Sequence, residues 1–327
     1  MKISFLFSLL FPLCIQAQQS WIQPGERWPD TKGDHIQAHG GGIMKVGKTY
    51  YWYGEDRRKG LDTAKRFVSC YSSKDLCNWK FEGDVLQLTD PENLGPHWVC
   101  ERPKVFHNSK TKKYVLYFHL DDRRYQLARV GVCISDKPTG PFQYLKSFRP
   151  LGHESRDIGQ FVDDDGTPYL IFEDRPLGFH IAALSDDYLD VVKEICLVPQ
   201  KMEGGALVHY KGLYYFIGSY LTGWNPNPNQ YATAASLSGP WTSLQPIAPP
   251  EVKTYGAQST LLLKVAGKKD TTVIFMGDIW KPRTQWDSRY LWMPLEIGDG
   301  KAWLPRPRPW RIQLKTGEVF FEPTPAP

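Results

Sequence analysis

The sequence predicts an all-β protein folded as a five-bladed β-propeller, and three observations lead to this prediction. Five segments repeat one plan, in which an apolar strand, a polar turn and an aromatic-rich strand follow one another. Their turns place Gly, Asp, Asn or Lys between apolar runs, as hairpins do. No stretch has the periodicity of a long helix, and 28 Gly with 26 Pro argue against a helical core. A β-sandwich is the alternative, but five similar units favour radial closure.

The chain begins with a predicted secretory signal peptide at residues 1–17. One lysine precedes an apolar run over residues 3–15 that is too short to span a membrane, and Ala17 offers a cleavage site. A lipoprotein signal at Cys14 is the less favoured alternative, because the three residues before that cysteine are not small. We therefore expect residues 18–327 to be secreted or periplasmic, as a single propeller domain without a membrane span.

The repeated segments predict the centre of each blade. They cover residues 41–55, 102–119, 159–174, 204–219 and 259–278. A second strand pair follows each segment, which gives the four-stranded blade of a propeller. The flanking stretches 18–36 and 303–327 fit this plan poorly, and we expect them to pack on the outside or to complete the last blade.

Composition excludes several classes of function. The chain has 40 Lys and Arg against 35 Asp and Glu with no basic block, so nucleic-acid binding is not expected. Five cysteines follow the signal peptide, without a Cys-x-x-Cys pair, which predicts buried free thiols rather than a zinc site or a disulfide framework. A local Cys70–Cys77 bridge is the alternative. The histidines have no ligand spacing, so we predict no metal site and no cofactor.

Polar residues occupy equivalent positions at the starts of the predicted innermost strands, where a propeller brings them to one mouth. Counting back from each turn gives His39 or the nearby Gln37, then Glu101, Asp157, Glu203 and Gln258. A buried carboxylate is costly unless it is paired or used. Salt bridges to Arg102, Lys104 or Arg156 would explain one acid, but three acids in register favour a site. Convergent carboxylates suggest acid/base chemistry on a glycosidic bond.

Aromatic and acidic residues near the same mouth are candidates for sugar contacts. Trp52, Trp98, Tyr125, Trp224 and Trp280 could each stack on the apolar face of a sugar ring. Tyr125 and Trp224 are favoured because they lie outside the repeated strands. Glu55 could bind sugar hydroxyls or cap a turn, and His39, followed by three glycines, could donate hydrogen bonds to a ligand. The run from Asp163 to Gly166 resembles a calcium loop, but a hairpin turn explains it better.

Two of these segments resemble glycoside hydrolase family 43, whose members are five-bladed propellers that hydrolyse with inversion. RDIGQFVDDDGTPYLIFED is similar to the third-blade signature, and EGGALVHYKGLYYFIGS to the fourth-blade segment headed by the general acid. The resemblance implies that Glu203 is the acid and that Asp157 modulates its pKa. It runs from about Trp28 to the end of the fifth blade.

The first blade departs from the general family pattern, because IQAHGGGIMKVGKTYYWYGE lacks the usual base Asp. This resembles the subfamily of exo-β-1,3-galactanases, in which a Gln takes the place of the base. The match falls on Gln258, with Glu101 as a further active-site acid. An amide is a weak base, so we expect Gln258 to position water; a carboxylate at Glu101 is the conventional alternative.

The resemblance implies a secreted inverting enzyme that releases galactose from the β-1,3-galactan of plant polysaccharides. The alternatives are an α-L-arabinofuranosidase or β-galactosidase of the same family, or a non-catalytic sugar-binding propeller. Retention of both Glu203 and Asp157 favours catalysis over binding alone.

Overall fold

The computed structural model describes residues 19–323. The predicted signal peptide therefore lies outside the described residues. Five sheets are arranged around a central axis, which confirms the predicted five-bladed all-β propeller. Within residues 19–323 no helix is long and apolar enough to cross a membrane.

Four blades are antiparallel sheets of four strands, and the fifth has three. The first blade contains β1 (His39–Val46), β2 (Thr49–Glu55), β3 (Arg66–Ser73) and β4 (Lys80–Leu88). The second contains β5 (Val99–His107), β6 (Tyr114–Asp121), β7 (Arg129–Ser135) and β8 (Gln143–Phe148). The third contains β9 (Ile158–Val162), β10 (Pro168–Asp174), β11 (Gly178–Leu184) and β12 (Val191–Val198).

The remaining strands form the last two blades and two small hairpins. The fourth blade contains β13 (Met202–Tyr210), β14 (Leu213–Tyr220), β15 (Gln230–Ala234) and β16 (Gln245–Pro246). The fifth contains β17 (Gln258–Ala266), β18 (Thr271–Ile279) and β19 (Arg289–Pro294). The hairpins are β20 (Glu296–Gly298) with β21 (Lys301–Trp303), and β22 (Trp310–Gln313) with β23 (Glu318–Phe321). Short 3₁₀ turns lie at Pro91–Asn93, Pro150–Gly152, Pro250–Gly256 and Gln285–Asp287.

The two flanking stretches meet beside the fifth blade. Ile22 and Trp310 exchange main-chain hydrogen bonds of 2.7 and 3.1 Å, so the N-terminal segment pairs with β22. The indole N–H of Trp310 donates to the carbonyl oxygen of Trp292 on β19 at 2.7 Å. Both flanking stretches thus reinforce the blade that has only three strands.

Many aromatic side chains belong to the core. Trp52 packs against Trp292 with ring centroids 4.5 Å apart, and Trp28 packs against Trp292 at 5.0 Å. Trp98 is also fully buried. Trp52 and Trp98 were therefore wrong as candidate sugar platforms, because neither ring reaches a surface. All five cysteines among residues 19–323 are free thiols, as predicted.

Four of the five innermost strands, all except β9, have β-bulges near their starts, and these bulges shape the mouth. The register shifts after His39 in β1, after Glu101 in β5 and after Glu203 in β13. The next residue in each case has a positive φ: +56° at Gly40, +54° at Arg102 and +65° at Gly204. A bulge bends its strand and re-aims a side chain. Arg102 adopts this conformation although it has a Cβ, which indicates that its surroundings hold it there.

Lys104 fills the centre of the propeller. Its side chain is fully buried, and its Nζ donates to the carbonyl oxygens of Gly40 (2.6 Å) and Gly41 (3.0 Å) and to the Thr260 hydroxyl (3.4 Å). Burial and the nearby Arg102 charge lower the pKa of Lys104 to about 7. The lysine considered as a salt-bridge partner for the acids therefore binds main-chain carbonyls of another blade.

Candidate active site

A pocket of about 310 Å³ lies at the mouth where the inner strands begin. It contains all four residues predicted for catalysis and four of the candidates for sugar contact, Glu55, Tyr125, Trp224 and Trp280. Its lining consists of Glu55, Arg57, Glu101, Arg102, His119, Tyr125, Arg156, Asp157, Arg175, Glu203, Gly223, Trp224, Gln258 and Trp280. The pocket draws on every blade: the second to fifth blades contribute residues near the starts of their inner strands, and the first blade contributes Glu55 from the end of β2.

Glu203, near the start of β13, has the electrostatics of a proton donor. Burial and the neighbouring Asp157 carboxylate raise the pKa of Glu203 to about 8, although the Arg102 charge opposes this shift. Its Oε1 accepts a hydrogen bond of 2.9 Å from the Gln258 amide, and its Oε2 lies 3.9 Å from an Arg175 nitrogen. Glu203 is therefore largely protonated at neutral pH, which general acid catalysis requires.

Asp157 directly precedes β9 and is held on several sides. Its Oδ2 lies 2.9 Å from the Arg102 guanidinium and accepts a 2.8 Å hydrogen bond from the Gly204 main chain. Its own N–H donates to Glu173 at 3.3 Å. A salt bridge to Arg102 was considered above as an alternative to a functional role. This salt bridge is present, and both of its residues line the pocket.

Gln258, the first residue of β17, uses both ends of its amide. Its Nε2 donates to Glu203 Oε1 (2.9 Å) and to the Ser219 hydroxyl (3.2 Å). Its Oε1 accepts from the Trp280 indole (2.9 Å) and from the Arg102 guanidinium. These bonds fix the orientation of the amide and make Oε1 of Glu203 an acceptor, which leaves Oε2 as the oxygen available to carry the acid proton.

Glu101 on β5 is ionised, in contrast to Glu203. Burial would raise the pKa of Glu101, but hydrogen bonding and charge from His119, together with Arg57, outweigh burial and lower it to about 2. The Tyr125 hydroxyl donates to Oε1 of Glu101 at 2.8 Å, and His119 Nδ1 lies 3.3 Å from Oε2. Hydrogen bonds to Asp121 and Glu101 raise the pKa of His119 to about 9 despite its burial, so His119 supports the charge of Glu101.

Glu55, at the end of β2, lines the pocket but is almost entirely buried. It forms an ion pair with Arg57 and accepts a 3.0 Å hydrogen bond from the Arg102 main chain. Burial raises the pKa of Glu55. Its carboxylate therefore helps to hold the unusual backbone of Arg102 in addition to facing the pocket.

Aromatic rings form part of the pocket wall. Trp224 is 53% exposed and meets the half-buried Trp280 edge to face, with centroids 5.7 Å apart. Tyr125 is 42% exposed and lies over His119 at 5.9 Å. The two exposed rings offer apolar faces to a ligand, whereas Trp280 is oriented by its bond to Gln258.

His39 and Gln37 do not line the pocket, which corrects their prediction as sugar-binding residues. His39 is fully buried, stacks on Tyr290 at 4.9 Å, and its Nδ1 lies 3.2 Å from Asp278. Gln37 is 2% exposed and donates to the Trp286 carbonyl oxygen. Both residues precede the bulge of β1, and their side chains point into the core rather than into the pocket.

Sequence reasoning missed the cations and the histidine that surround the acids. Arg102 was considered only as a salt-bridge partner, although it contacts Asp157 and Gln258. Arg175 and His119 were not considered at all. The only signal for Arg175 and His119 in the sequence is position, because His119 lies near the end of β6 and Arg175 directly follows β10, both close to the mouth. Among residues 19–323, the two groups of His and carboxylate side chains compact enough to hold a metal lie outside this pocket.

The arrangement combines the protonated carboxyl group of Glu203 with the ionised carboxylate of Glu101 and with fixed arginine cations. Environments that separate the pKa values of neighbouring carboxyl groups assign acid and base roles. Glu203 can donate a proton, and Glu101 can accept one or bind a hydroxyl group. This chemistry suits hydrolysis of a bond whose leaving oxygen needs protonation.

Comparison with known proteins finds one matching family model and relatives that are named for different activities. A family model described as "Glycosyl hydrolases family 43" matches residues 38–274. An exo-β-1,3-galactanase from Phanerochaete chrysosporium, solved with β-1,3-galactotriose, is 38% identical with a TM-score of 0.85 over 93% of this chain and 71% of that chain. An exo-β-1,3-galactanase from Clostridium thermocellum is 36% identical with a TM-score of 0.84 over 94% and 70%. A "Xylosidase/arabinosidase" from Bacteroides ovatus is 28% identical over 60% of this chain and 73% of its own length.

Proposed function

Because the chain belongs to glycoside hydrolase family 43, we propose that this glycosidase acts from chain ends and releases galactose from β-1,3-linked galactan. The observation that carries the proposal is the pair Glu203 and Asp157, because burial and the neighbouring Asp157 carboxylate raise the pKa of Glu203 and keep this acid protonated. Two solved relatives named as exo-β-1,3-galactanases, at 36–38% identity, support the choice of substrate.

Glu203 protonates the leaving glycosidic oxygen in this proposal. Its proton resides on Oε2, because Oε1 accepts from the Gln258 amide. Asp157 stays in place through Arg102 and the Gly204 main chain, and its charge opposes ionisation of Glu203 before a substrate arrives. Once the proton has left, Arg102 and Arg175 stabilise the new carboxylate.

Gln258 positions the attacking water on the opposite face of the sugar, and hydrolysis proceeds with inversion. Inverting enzymes separate the acid from the water-side group by about 6.5–9.5 Å. The Gln258 amide now contacts Glu203 at 2.9 Å, so the sugar has to enter between them and replace this bond. Glu101, already ionised, binds a sugar hydroxyl beside Tyr125. If the Gln258 amide remained bonded to Glu203 when the substrate binds, Glu101 would act as the base instead.

The substrate in this proposal is a galactose-containing plant polysaccharide or its fragments, met by an exported enzyme. Trp224 and Tyr125 provide the exposed ring faces on which the terminal sugars stack. Export follows from the signal-peptide pattern of residues 1–17.

The decisive experiment is product identification. The purified protein is incubated with β-1,3-galactan, arabinan and xylo-oligosaccharides, and the released monosaccharide is identified by chromatography. Galactose from β-1,3-galactan alone supports the proposal, and proton NMR of the first product should show the inverted anomer. Release of arabinose or xylose would instead favour the activity named for the Bacteroides ovatus relative. Calorimetric binding of galactan without any product would point to a non-catalytic propeller.

A further inference from the structure

Two histidines and two carboxylates gather on the third blade, outside the catalytic pocket. His180 lies on β11, Asp174 ends β10, Glu194 lies on β12 and His153 follows the 3₁₀ turn at Pro150–Gly152. The imidazole rings of His153 and His180 lie 4.2 Å apart, and one ligand atom from each of His153, His180 and Glu194 falls within 4.8 Å of the others. A bulge in β12 between Cys196 and Glu194 brings the glutamate to this face.

The hydrogen bonds within this cluster leave buried polar atoms without partners. His153 Nδ1 lies 3.0 Å from Asp174 Oδ2, and His180 Nδ1 contacts Glu194. His180 Nε2 and Asp174 Oδ1 have no hydrogen-bond partner. Both residues are at least 95% buried, so water does not satisfy these two atoms from the surface. A neutral imidazole carries one N–H, so His180 cannot donate to Glu194 and to Asp174 at the same time.

We propose that His153, His180 and Glu194 bind a divalent transition metal of the zinc type, with Asp174 orienting the two imidazoles. A metal at Nδ1 of His180 would place the ring proton on Nε2, which lies 3.6 Å from Asp174. Metal-bound histidines usually donate their other N–H to a carboxylate, and His153 already faces Asp174 in this way. Two nitrogens with one carboxylate oxygen favour Zn²⁺ over Ca²⁺ or Mg²⁺, which prefer oxygen ligands.

A second group of similar composition provides the contrast. Asp163, Asp164 and His209 also lie within reach of one another. There, however, the Tyr214 hydroxyl donates to Asp163 at 2.7 Å and Lys264 contacts Asp164, so hydrogen bonds and a cation already balance these carboxylates. None of the three appears among the buried polar atoms without a partner in residues 19–323. We therefore assign the metal only to the His153 cluster.

The proposed metal site is open to solvent and lies next to a strand end that supports the catalytic pocket. The side chains of His153 and Glu194 are 35% and 42% exposed, so a cation can reach them from solvent. Asp174 directly follows Glu173, which accepts the main-chain N–H of Asp157. A metal bound here would brace the strand end that supports Asp157.

The test measures zinc binding to the full chain. Protein stripped with EDTA is titrated with ZnCl₂ by calorimetry, its retained metal is counted after gel filtration, and its melting temperature is followed with and without Zn²⁺. We expect one Zn²⁺ per chain and a higher melting temperature with metal, because a ligand that binds only the native state stabilises it. Ca²⁺ and Mg²⁺ should not compete.

Variants locate the site. Glu194→Gln and His153→Gln change partly exposed side chains and should abolish stoichiometric binding, while Asp174→Asn should weaken affinity by about 10–100-fold. His209→Gln is the matched control and should bind as the unmodified chain does. Melting curves in EDTA verify that each variant is folded. Lack of stoichiometric Zn²⁺ on the unmodified chain would overturn the proposal, and so would equal binding by Glu194→Gln or loss of binding in His209→Gln.

Discussion

The main-chain N–H of Gly204 donates a 2.8 Å hydrogen bond to Oδ2 of Asp157. Gly204 follows Glu203 and has a φ of +65°, and a Cβ there would lie 2.6 Å from the Ser259 carbonyl oxygen. The strand that presents the protonated carboxyl group thus also fixes the carboxylate that keeps it protonated. The Asp157 carboxylate is therefore tied to the backbone next to Glu203 rather than held by side chains alone.

Replacing the proton donor should remove most of the activity. Glu203→Gln retains the shape and the contact with Gln258 but cannot protonate the leaving oxygen. We expect kcat on β-1,3-galactan to fall by about 10²–10⁴-fold, the usual contribution of general acid catalysis. Galactose release is measured under initial-rate conditions, with Glu296→Gln on the β20 hairpin as the control. Activity close to that of the unmodified protein would exclude Glu203 as the acid.

The pH dependence of kcat/KM should have an alkaline limb near pH 8. Activity requires protonated Glu203, whose pKa is raised to about 8, so activity falls as the pH rises through that value. Asp157→Asn removes a negative charge that raises this pKa, and the limb should therefore move to lower pH. The value of kcat/KM is measured from about pH 4 to about pH 10, a range that extends to both sides of the alkaline limb. An unchanged limb in Asp157→Asn would show that Asp157 does not control the acid.

External nucleophiles can identify the residue on the water side. Truncating the group that positions water leaves space for azide, which restores turnover without needing a base. We expect azide to rescue Gln258→Ala and to give a galactosyl azide of inverted configuration. Glu101→Ala serves as the comparison and should not be rescued. Rescue of Glu101→Ala alone would assign the base to Glu101.

Removing the exposed indole at the pocket rim should weaken substrate binding more than turnover. Trp224→Ala is expected to raise KM by about 2–10-fold, which corresponds to the 0.5–1.5 kcal/mol of an aromatic contact. Its kcat should change little, because the ring does not touch the acid. Trp303→Ala is the matched control, since Trp303 is 40% exposed on β21, outside the pocket lining. A fall in kcat with constant KM would contradict this role.

The buried lysine at the centre should matter for stability. Lys104→Ala leaves a cavity and removes the donor to the carbonyl oxygens of Gly40 and Gly41. We expect the free energy of unfolding to fall by about 2–5 kcal/mol, as for other large-to-small substitutions in a core. Urea denaturation measures the change, with the exposed Lys110→Ala as a control expected to match the unmodified chain. Equal stability of Lys104→Ala would mean that water replaces the ammonium group without cost.

Much of the architecture could be predicted from the sequence because the repeat is local. Hairpin turns and alternating aromatics mark the first two strands of each blade, and the closed ring then brings the strand starts together. Glu101, Asp157, Glu203 and Gln258 share one pocket for this reason. The water-side role proposed for Gln258 was suggested only by the family resemblance.

The rest depends on backbone detail that residue types do not reveal. A left-handed conformation at Arg102 is not signalled by a glycine or an asparagine, so its central position was not predicted. His39 and Gln37 precede a bulge, and one residue of register decides whether they face the pocket or the core. The His153 cluster joins a loop to three strands, and no sequence spacing indicates it.

Arg102 joins four of the five blades at a single point. Its main-chain N–H donates to Glu55, and its guanidinium contacts Asp157, Gln258 and the carbonyl oxygen of Ser259. Substitutions at these positions share one partner, so their effects on activity will not add. We therefore expect strong epistasis among the residues that contact Arg102. A substitution at one of these positions should be tolerated only after a compensating substitution at another. Attempts to alter specificity by single replacements here would be blocked by the same dependence, whereas the aromatic rim can vary independently.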